Sequence, residues 1–407
     1  MSTDASKLPY LTRSIGGVGG AIKQRPDDFR VDEVPLYEPS GQGDHVYFKV
    51  RKTGVPTPVA VTRIARHMGV RRIDIGVAGL KDAQAVTTQM MSLEHADPER
   101  LGEYSDSQVQ VIWTGRHGNK LKTGHLAGNL FRIRIRDINP ADLGRAREIL
   151  DILARRGVPN YFGQQRFGRR GDTAQLGETI VRGDLQRFVE LLLGRPSPDD
   201  HPAVRAARDA FDGGYFARAL KKWPRPFVDQ RKALIAYKRR GDPKAAFRAV
   251  DKRMRRLYVS AFQSLLFNEV LARRLEQMDV LADGDWAVKH ANGAVFKVED
   301  ASVEQPRAEA GEISPTGPIF GSKSKFAGGE WGKVERAVLA AHDIELEQFG
   351  NLRPMKCRGS RRATRFLLER PAIESGSDEH GEFFEVRFGA ESGCYATVAL
   401  REMMKND

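Results

Sequence analysis

The sequence has few means of cross-linking itself or binding a cofactor. It contains only two cysteines, Cys357 and Cys394, with no CxxC pair and no cysteine-histidine cluster, so neither a disulfide framework nor a zinc site is supported. No apolar run approaches the roughly 20 residues that span a bilayer, and residues 1–13 lack the apolar centre of a secretion signal, which together predict a cytoplasmic protein. No Walker A sequence occurs, and Gly16, Gly17, Gly19 and Gly20 do not have GxGxxG spacing, so the common nucleotide-hydrolysing and nicotinamide motifs are missing. The histidines are scattered singly and no GxSxG elbow is present, which leaves no Ser-His-Asp arrangement to build on. Neither a metal nor a cofactor is expected.

Negative charge is also in short supply. Lys and Arg number 66 against 53 Asp and Glu, a formal charge of +13, and such a balance favours polyanionic partners through counterion release. With no lipidation signal and no long basic amphipathic helix to hold a membrane surface, a nucleic acid is the expected partner. The chain can still bury a core, since 40% of its residues are hydrophobic and 29% charged, at a mean hydropathy of -0.47. Its 407 residues exceed one comfortable core and predict two domains, or one domain carrying a large insertion.

Local patterns sharpen this division. Ala21 to Lys23, Phe29 to Val34 and the alternating run His45 to Arg51 read as extended segments, with a turn at Gly41, Gly43 and Asp44. Thr57 and Pro58 start a helix in which Ala60, Ile64, Ala65 and Met68 recur at helical spacing until Gly69. Ile73 to Ala78 reads as a strand, and so does Leu130 to Arg136, where Phe131, Ile133 and Ile135 alternate with Arg132, Arg134 and Arg136. Asn139 and Pro140 begin a helix with Leu143, Ala146, Ile149, Leu150 and Leu153 on one face and Gly157 beyond its end. From about 158 to 350 the texture turns helical, notably at Phe188 to Leu193, Val204 to Phe211 and Arg255 to Met278. Glu299 to Ser314, acidic and rich in small residues, is a candidate for disorder. Strand character returns at Thr364 to Glu369, Phe383 to Phe388 and Tyr395 to Leu400, with Gly389 to Gly393 as a hairpin connection. The expected organisation is α+β: a sheet domain from residues 1–157 and 354–407, interrupted by a mainly helical insertion at 158–353.

One segment stands out chemically. In Val77-Ala-Gly-Leu-Lys-Asp-Ala-Gln-Ala-Val-Thr-Thr-Gln89 an apolar strand end runs straight into a charged loop. Gly79 would allow a close turn, while Lys81 and neighbouring bases would favour an ionised Asp82, able to act as nucleophile or base. In isolation the same residues also suit an ordinary turn with an exposed aspartate.

Several segments together resemble the TruD family of tRNA pseudouridine synthases over almost the whole chain. Lys23-Gln-Arg-Pro-Asp-Asp-Phe29 looks like the family's early motif, and Ala78 to Gln89 is similar to its AGLKDxxAVTxQ segment. His125-Leu-Ala-Gly-Asn-Leu-Phe131, Val158-Pro-Asn-Tyr-Phe-Gly-Gln-Gln-Arg-Phe-Gly168 and Ser260-Ala-Phe-Gln-Ser-Leu-Leu-Phe-Asn268 resemble the third, fourth and fifth motifs, in family order. Gly393-Cys-Tyr-Ala-Thr397 followed by Leu400-Arg-Glu402 closes the match.

The resemblance implies a V-shaped molecule, a pseudouridine-synthase sheet domain with an inserted TRUD domain, that isomerises uridine-13 in the D arm of tRNA. It makes Asp82 the catalytic aspartate, matches Phe29, Asn129 and Tyr395 to positions contacting the target nucleotide, and matches Lys23 to a basic active-site position. Phe29 or Tyr395 would stack on the extruded nucleotide and Asn129 would read a base edge. Arg132, Arg134, Arg136 and Arg166 are candidates for phosphate contacts, or else a solvated strand face and a structural arginine. The family commonly has a basic residue just after the aspartate. Here Ala83 and Gln84 stand there, so charge compensation must come from Lys81 or from elsewhere in the chain. The same fold acting on broader RNA targets and a noncatalytic tRNA chaperone are the alternative readings. The sequence does not fix the oligomeric state, though a monomer is favoured.

Overall fold

The computed structural model describes residues 8–352, 355 and 357–406. The chain divides into two compact units, one of Tyr10–Val158 with Phe366–Asn406 and the other built on Pro159–Arg365. Among the described residues no helix is long and apolar enough to cross a membrane.

The first unit is organised by a nine-stranded sheet. Its strands are β1 (Gly19–Ala21), β2 (Phe29–Pro35), β3 (His45–Thr53), β4 (Gly76–Val77), β5 (Val86–Glu94), β6 (Val109–His117), β7 (Leu126–Ile138), β8 (Glu369–Asp378) and β9 (Gly381–Glu391). The order is β8-β9-β7-β2-β5-β3-β6, with β1 added to β7 and β4 to β5. Every pairing is antiparallel except β2 with β5, where Arg30 faces Val86. Alternation explains the burial on each strand: Val46, Phe48 and Val50 on β3 join Met91 and Leu93 on β5 and the helix Thr57–Met68 in one apolar cluster. That helix ends at Gly69 in the left-handed region (φ 73°), as the sequence predicts. The helix Leu143–Arg156 buries Ala146, Ile149, Leu150 and Leu153 and packs against β8.

The second unit combines helices with an antiparallel four-stranded sheet, Val295–Lys297, Trp286–Lys289, Ile313–Ile319 and Ser360–Ala363 in spatial order. Its long helix Lys252–Arg274 lies so close to Thr173–Arg182 that a Cβ on Gly177 would sit 2.0 Å from the Tyr258 carbonyl oxygen. Two motif segments lock together here. The Asn268 side chain accepts from the Phe162 amide (2.8 Å) and donates to the Phe162 carbonyl (3.0 Å), while Arg166 donates to Ser264 and Ser260. Arg166 is therefore a structural arginine.

Four local expectations differ from the structure. Ile73 to Ala78 is a 3-10 turn at Arg72–Asp74 followed by the short β4, because Asp74 caps the Arg71 amide and the strand begins only at Gly76. Tyr395 to Leu400 is not a strand: Ala396, Ala399, Leu400, Met403 and Met404 are buried at helical spacing in the helix Ala396–Met404, and the hairpin lies between β8 and β9 where Asp378 faces Gly381. Glu299 to Ser314 holds the helix Ala301–Glu309, capped by Asp300 and tied by Arg307 to Glu304 and Glu312, and then enters a strand. The return to the first unit comes at Phe366 rather than 354, since Ser360–Ala363 pairs with Thr316 to Ile319 of the second.

The arginine row of β7 also reads differently in three dimensions. Arg136, 3% exposed, is gripped by Asp28 (2.7 Å) and Asp378 (2.7 Å), which raise its pKa, and Arg136 in turn holds the Asp378 carboxyl well below the usual carboxylate range. Arg134 pairs with Asp378 and Glu385. Of the row, only Arg132 keeps its side chain mostly in solvent. Replacing Arg136 by Met should strand the buried Asp28 carboxylate and destabilise the sheet unit by about 3 kcal/mol. Urea unfolding should show this, and an unchanged midpoint would mean that Asp28 finds another partner.

Candidate active site

Lys52 is in phase with Val46, Phe48 and Val50, and Glu33 with Phe29 and Val31, so both charges point into the apolar side of the sheet, where they are buried. A buried charge needs partners. Glu33 finds the Met90 amide (3.0 Å) and the Lys81 ammonium (2.9 Å), and Lys81 also donates to the Asn129 side-chain oxygen (2.6 Å). Lys52 donates to two backbone oxygens, those of Val55 (2.8 Å) and Asp82 (2.7 Å).

These bonds fix the loop between β4 and β5. Its backbone is held further by Thr57, whose hydroxyl accepts from the Lys81 amide (2.9 Å) and donates to Gln89 (2.8 Å), and by Gln89, which donates to the Gly79 carbonyl (3.2 Å). Gly79 itself has neither a positive φ nor a neighbour within 4 Å of a Cβ, so the turn rests on side-chain tethers rather than on glycine. With Lys81 drawn inward, Asp82 is turned outward, its side chain 47% exposed.

The cation beside Asp82 is Lys23. Its ammonium lies 2.8 Å from Asp82 Oδ2 and 4.3 Å from the centre of the Phe29 ring, and the lysine backbone sits in the left-handed region (φ 58°). The charge absent at positions 83 and 84 thus comes from the preceding motif and not from Lys81. The short turn Pro26–Asp28 connects Lys23 to β2, with Asp28 anchored by the Arg25 amide and Arg136. Phe29 is 2% exposed and meets Phe131 edge to face. It supports Lys23 and does not offer an open stacking face.

Asn129 lies between Glu33 on β2 and Ala390 on β9. Tyr395, half-buried, follows β9 at the cap of the helix Ala396–Met404. Four of the residues singled out in the sequence are therefore linked through the loop: Lys23 and Phe29 on one side of Asp82, and Asn129 on the other through Lys81. Tyr395 comes from the adjoining strand end. Lys52 and Glu33 went unnoticed in the sequence, although their in-phase positions on apolar strands were a usable signal, and Thr57 was read only as a helix start.

The arrangement offers one solvent-facing carboxylate, its charge balanced by a lysine, on a tethered loop at a sheet. Such a carboxylate can act as a nucleophile or a base, and comparison with known proteins supplies the family. The family model described as tRNA pseudouridine synthase D (TruD) matches residues 6–403. The chain is 43% identical over 397 residues to tRNA pseudouridine synthase D of Geobacter metallireducens, covering 97% of each chain. It is 40% identical over 406 residues to that of Geobacter sulfurreducens, covering 100% of this chain and 98% of the relative. A crystal structure from Methanosarcina mazei described as a TruD protein superposes with a TM-score of 0.86 at 29% identity, covering 98% of this chain and 96% of that one. The chain belongs to the TruD family of tRNA pseudouridine synthases, α+β isomerases that act on tRNA.

Lys52 gives the site a pH signature. Burial lowers its pKa to about 8, against the pull of Asp82 and with help from Lys81. A neutral amine still has enough protons to donate to both carbonyls. Between about pH 8 and 10.5 the unfolded chain carries the extra proton, so this lysine's contribution to stability increases as pH rises through that window. From pH 7.5 to 9.5 the urea midpoint of the wild type should rise relative to that of Lys52→Met. Parallel midpoints would contradict a depressed pKa.

Proposed function

We propose that this chain converts a uridine of tRNA, uridine-13 of the D arm, to pseudouridine with Asp82 as the reacting group. The observation that carries the assignment is the Lys23–Asp82 pair at 2.8 Å. Lys23 binds Oδ2, while Oδ1 makes no hydrogen bond among the described residues. The carboxylate is thus tied to Lys23 through one oxygen and presented to substrate by the other.

The reaction breaks the bond from ribose C1' to uracil N1, turns the base, and joins C1' to C5. Its atoms stay within one nucleotide and no net oxidation occurs. The Asp82 oxygen serves either by attacking the sugar at C1' or by removing the C2' proton to give a glycal, and both routes need the same carboxylate at the ribose. The target must first leave its stack, at a cost of a few kcal/mol. Tyr395 offsets part of that cost by stacking, about 1 to 3 kcal/mol. The Asn129 side-chain oxygen is occupied by Lys81, which directs its amide nitrogen to a base carbonyl. Arg132 and the excess of basic residues favour the phosphates.

Incubation of the purified protein with unmodified tRNA, followed by site-resolved mapping of pseudouridine, tests this directly. Product is expected at position 13 without added metal or nucleotide. Asp82→Asn should keep tRNA affinity and lower product formation on the order of 10^3-fold or more. An active Asp82→Asn enzyme would end the assignment, whereas product at other positions would redirect only the choice of uridine.

A further inference from the structure

Beside the candidate active site, on the same unit, lies a cavity of about 500 Å³ to which no role has yet been given. Tyr37, just past β2, forms its aromatic part: the ring stacks on His117 (5.0 Å between centres, 24°) and meets His125 edge to face at 5.8 Å. The Tyr37 hydroxyl bonds to His125 Nδ1 (2.8 Å) and to the Tyr47 hydroxyl (3.2 Å), which fixes the cluster. His117 Nδ1 accepts from the Ser40 amide at 3.2 Å. In the neutral ring this leaves the proton on Nε2, a donor for an incoming acceptor.

Two lysines complete the lining. Lys120 spends one proton on the Ile73 carbonyl (2.9 Å), whereas the exposed Lys122 ammonium makes no bond among the described residues. Glu38 and Asn119 supply acceptor oxygens for a base amino group, and the Asn119 amide adds donors. The mixture of rings, cations and acceptors suits a nucleotide better than a bare anion, which would leave most of the cavity empty. Among the described residues no cluster of His, Cys, Asp and Glu could hold a metal.

The cavity is mechanically joined to the loop bearing Asp82. The Gly124 amide donates to the Ala78 carbonyl (2.8 Å), and the Leu121 amide donates to Ser92 (2.9 Å). Gly76 passes so close that a Cβ there would lie 2.4 Å from the Leu121 oxygen. Whatever binds at Lys122 is therefore held in fixed relation to Ala78 and the residues that follow it.

We propose that this cavity receives a second nucleotide of the RNA, not the one isomerised, with its base against the Tyr37–His117 pair and its phosphate on Lys122 and Lys120. The inference rests on the RNA substrate proposed above and adds an anchor that sets which uridine reaches Asp82.

The test is anisotropy titration of labelled, unmodified tRNA across a salt series with the full-length wild type, Lys122→Gln, Tyr37→Leu and, as control, Arg155→Gln, an exposed arginine on the helix Leu143–Arg156. Lys122→Gln should weaken binding several-fold and flatten the salt slope by about 1. Tyr37→Leu should weaken binding with the slope preserved, and the control should change neither. If Lys122→Gln behaves as Arg155→Gln does, the site is refuted. If a millimolar nucleoside monophosphate binds in a Lys122-dependent way while tRNA affinity stays untouched by the substitution, the cavity serves a free nucleotide and the proposal is equally overturned. A wild type that binds tRNA through Lys122 yet forms no pseudouridine would leave the anchor standing and remove the catalytic reading.

Discussion

The Glu33–Lys81 pair decides how the rest of the site is oriented. Both side chains are buried, 1% and 7% exposed, and each would be costly without the other. Because Lys81 must turn inward to meet Glu33, the next residue faces out, and Asp82 comes to solvent on a loop already tied to Thr57, Gln89 and Lys52. The orientation of the proposed reacting group is thus a by-product of satisfying a buried carboxylate. A carboxylate oriented in this way loses little freedom on meeting its substrate, which is the kind of preorganisation that binding and reaction both use.

The cations of the first unit fall into distinct kinds. Lys52 and Arg136 are enclosed and serve backbone carbonyls or paired aspartates, and Lys81 serves Glu33 and Asn129. Lys23 faces the candidate reacting group from above an aromatic ring. Lys122 and Arg132 project into solvent, where their charge remains available to a polyanion. A net charge of +13 therefore overstates the number of basic residues near the site that are free to touch RNA.

Much of this could be read from the chain, and what could not has identifiable causes. The alternation in His45 to Arg51 and Leu130 to Arg136, and the helices after Thr57 and Asn139 that stop at Gly69 and Gly157, were legible because local spacing and local burial coincide there. Tyr395 to Leu400 misled because a short apolar run with β-branched residues fits a strand as well as the first turns of a buried helix. Glu299 to Ser314 misled because composition hides a cap: one aspartate oxygen meeting two amides outweighs a polar average. Arg136 looked like one face of a basic strand until Asp28 and Asp378, far away in sequence, closed on it. The family resemblance pointed to Asp82, Lys23 and Asn129, but their linkage through Glu33 and Lys81 depends on strand register, and no local window contains that.

The sheet is assembled from both ends of the chain, and this governs when the site can exist. β9 pairs with β7 along its length, Phe384 opposite Ile135 and Ala390 opposite Asn129, although the whole second unit is synthesised between them. Until that stretch has left the ribosome, β7 carries a bare edge, and a bare edge invites mispairing. Asn129 lacks its outer neighbour and Tyr395 does not yet exist. The full sheet can therefore close only after the second unit has been made, when the final hairpin meets the edge that has been waiting for it.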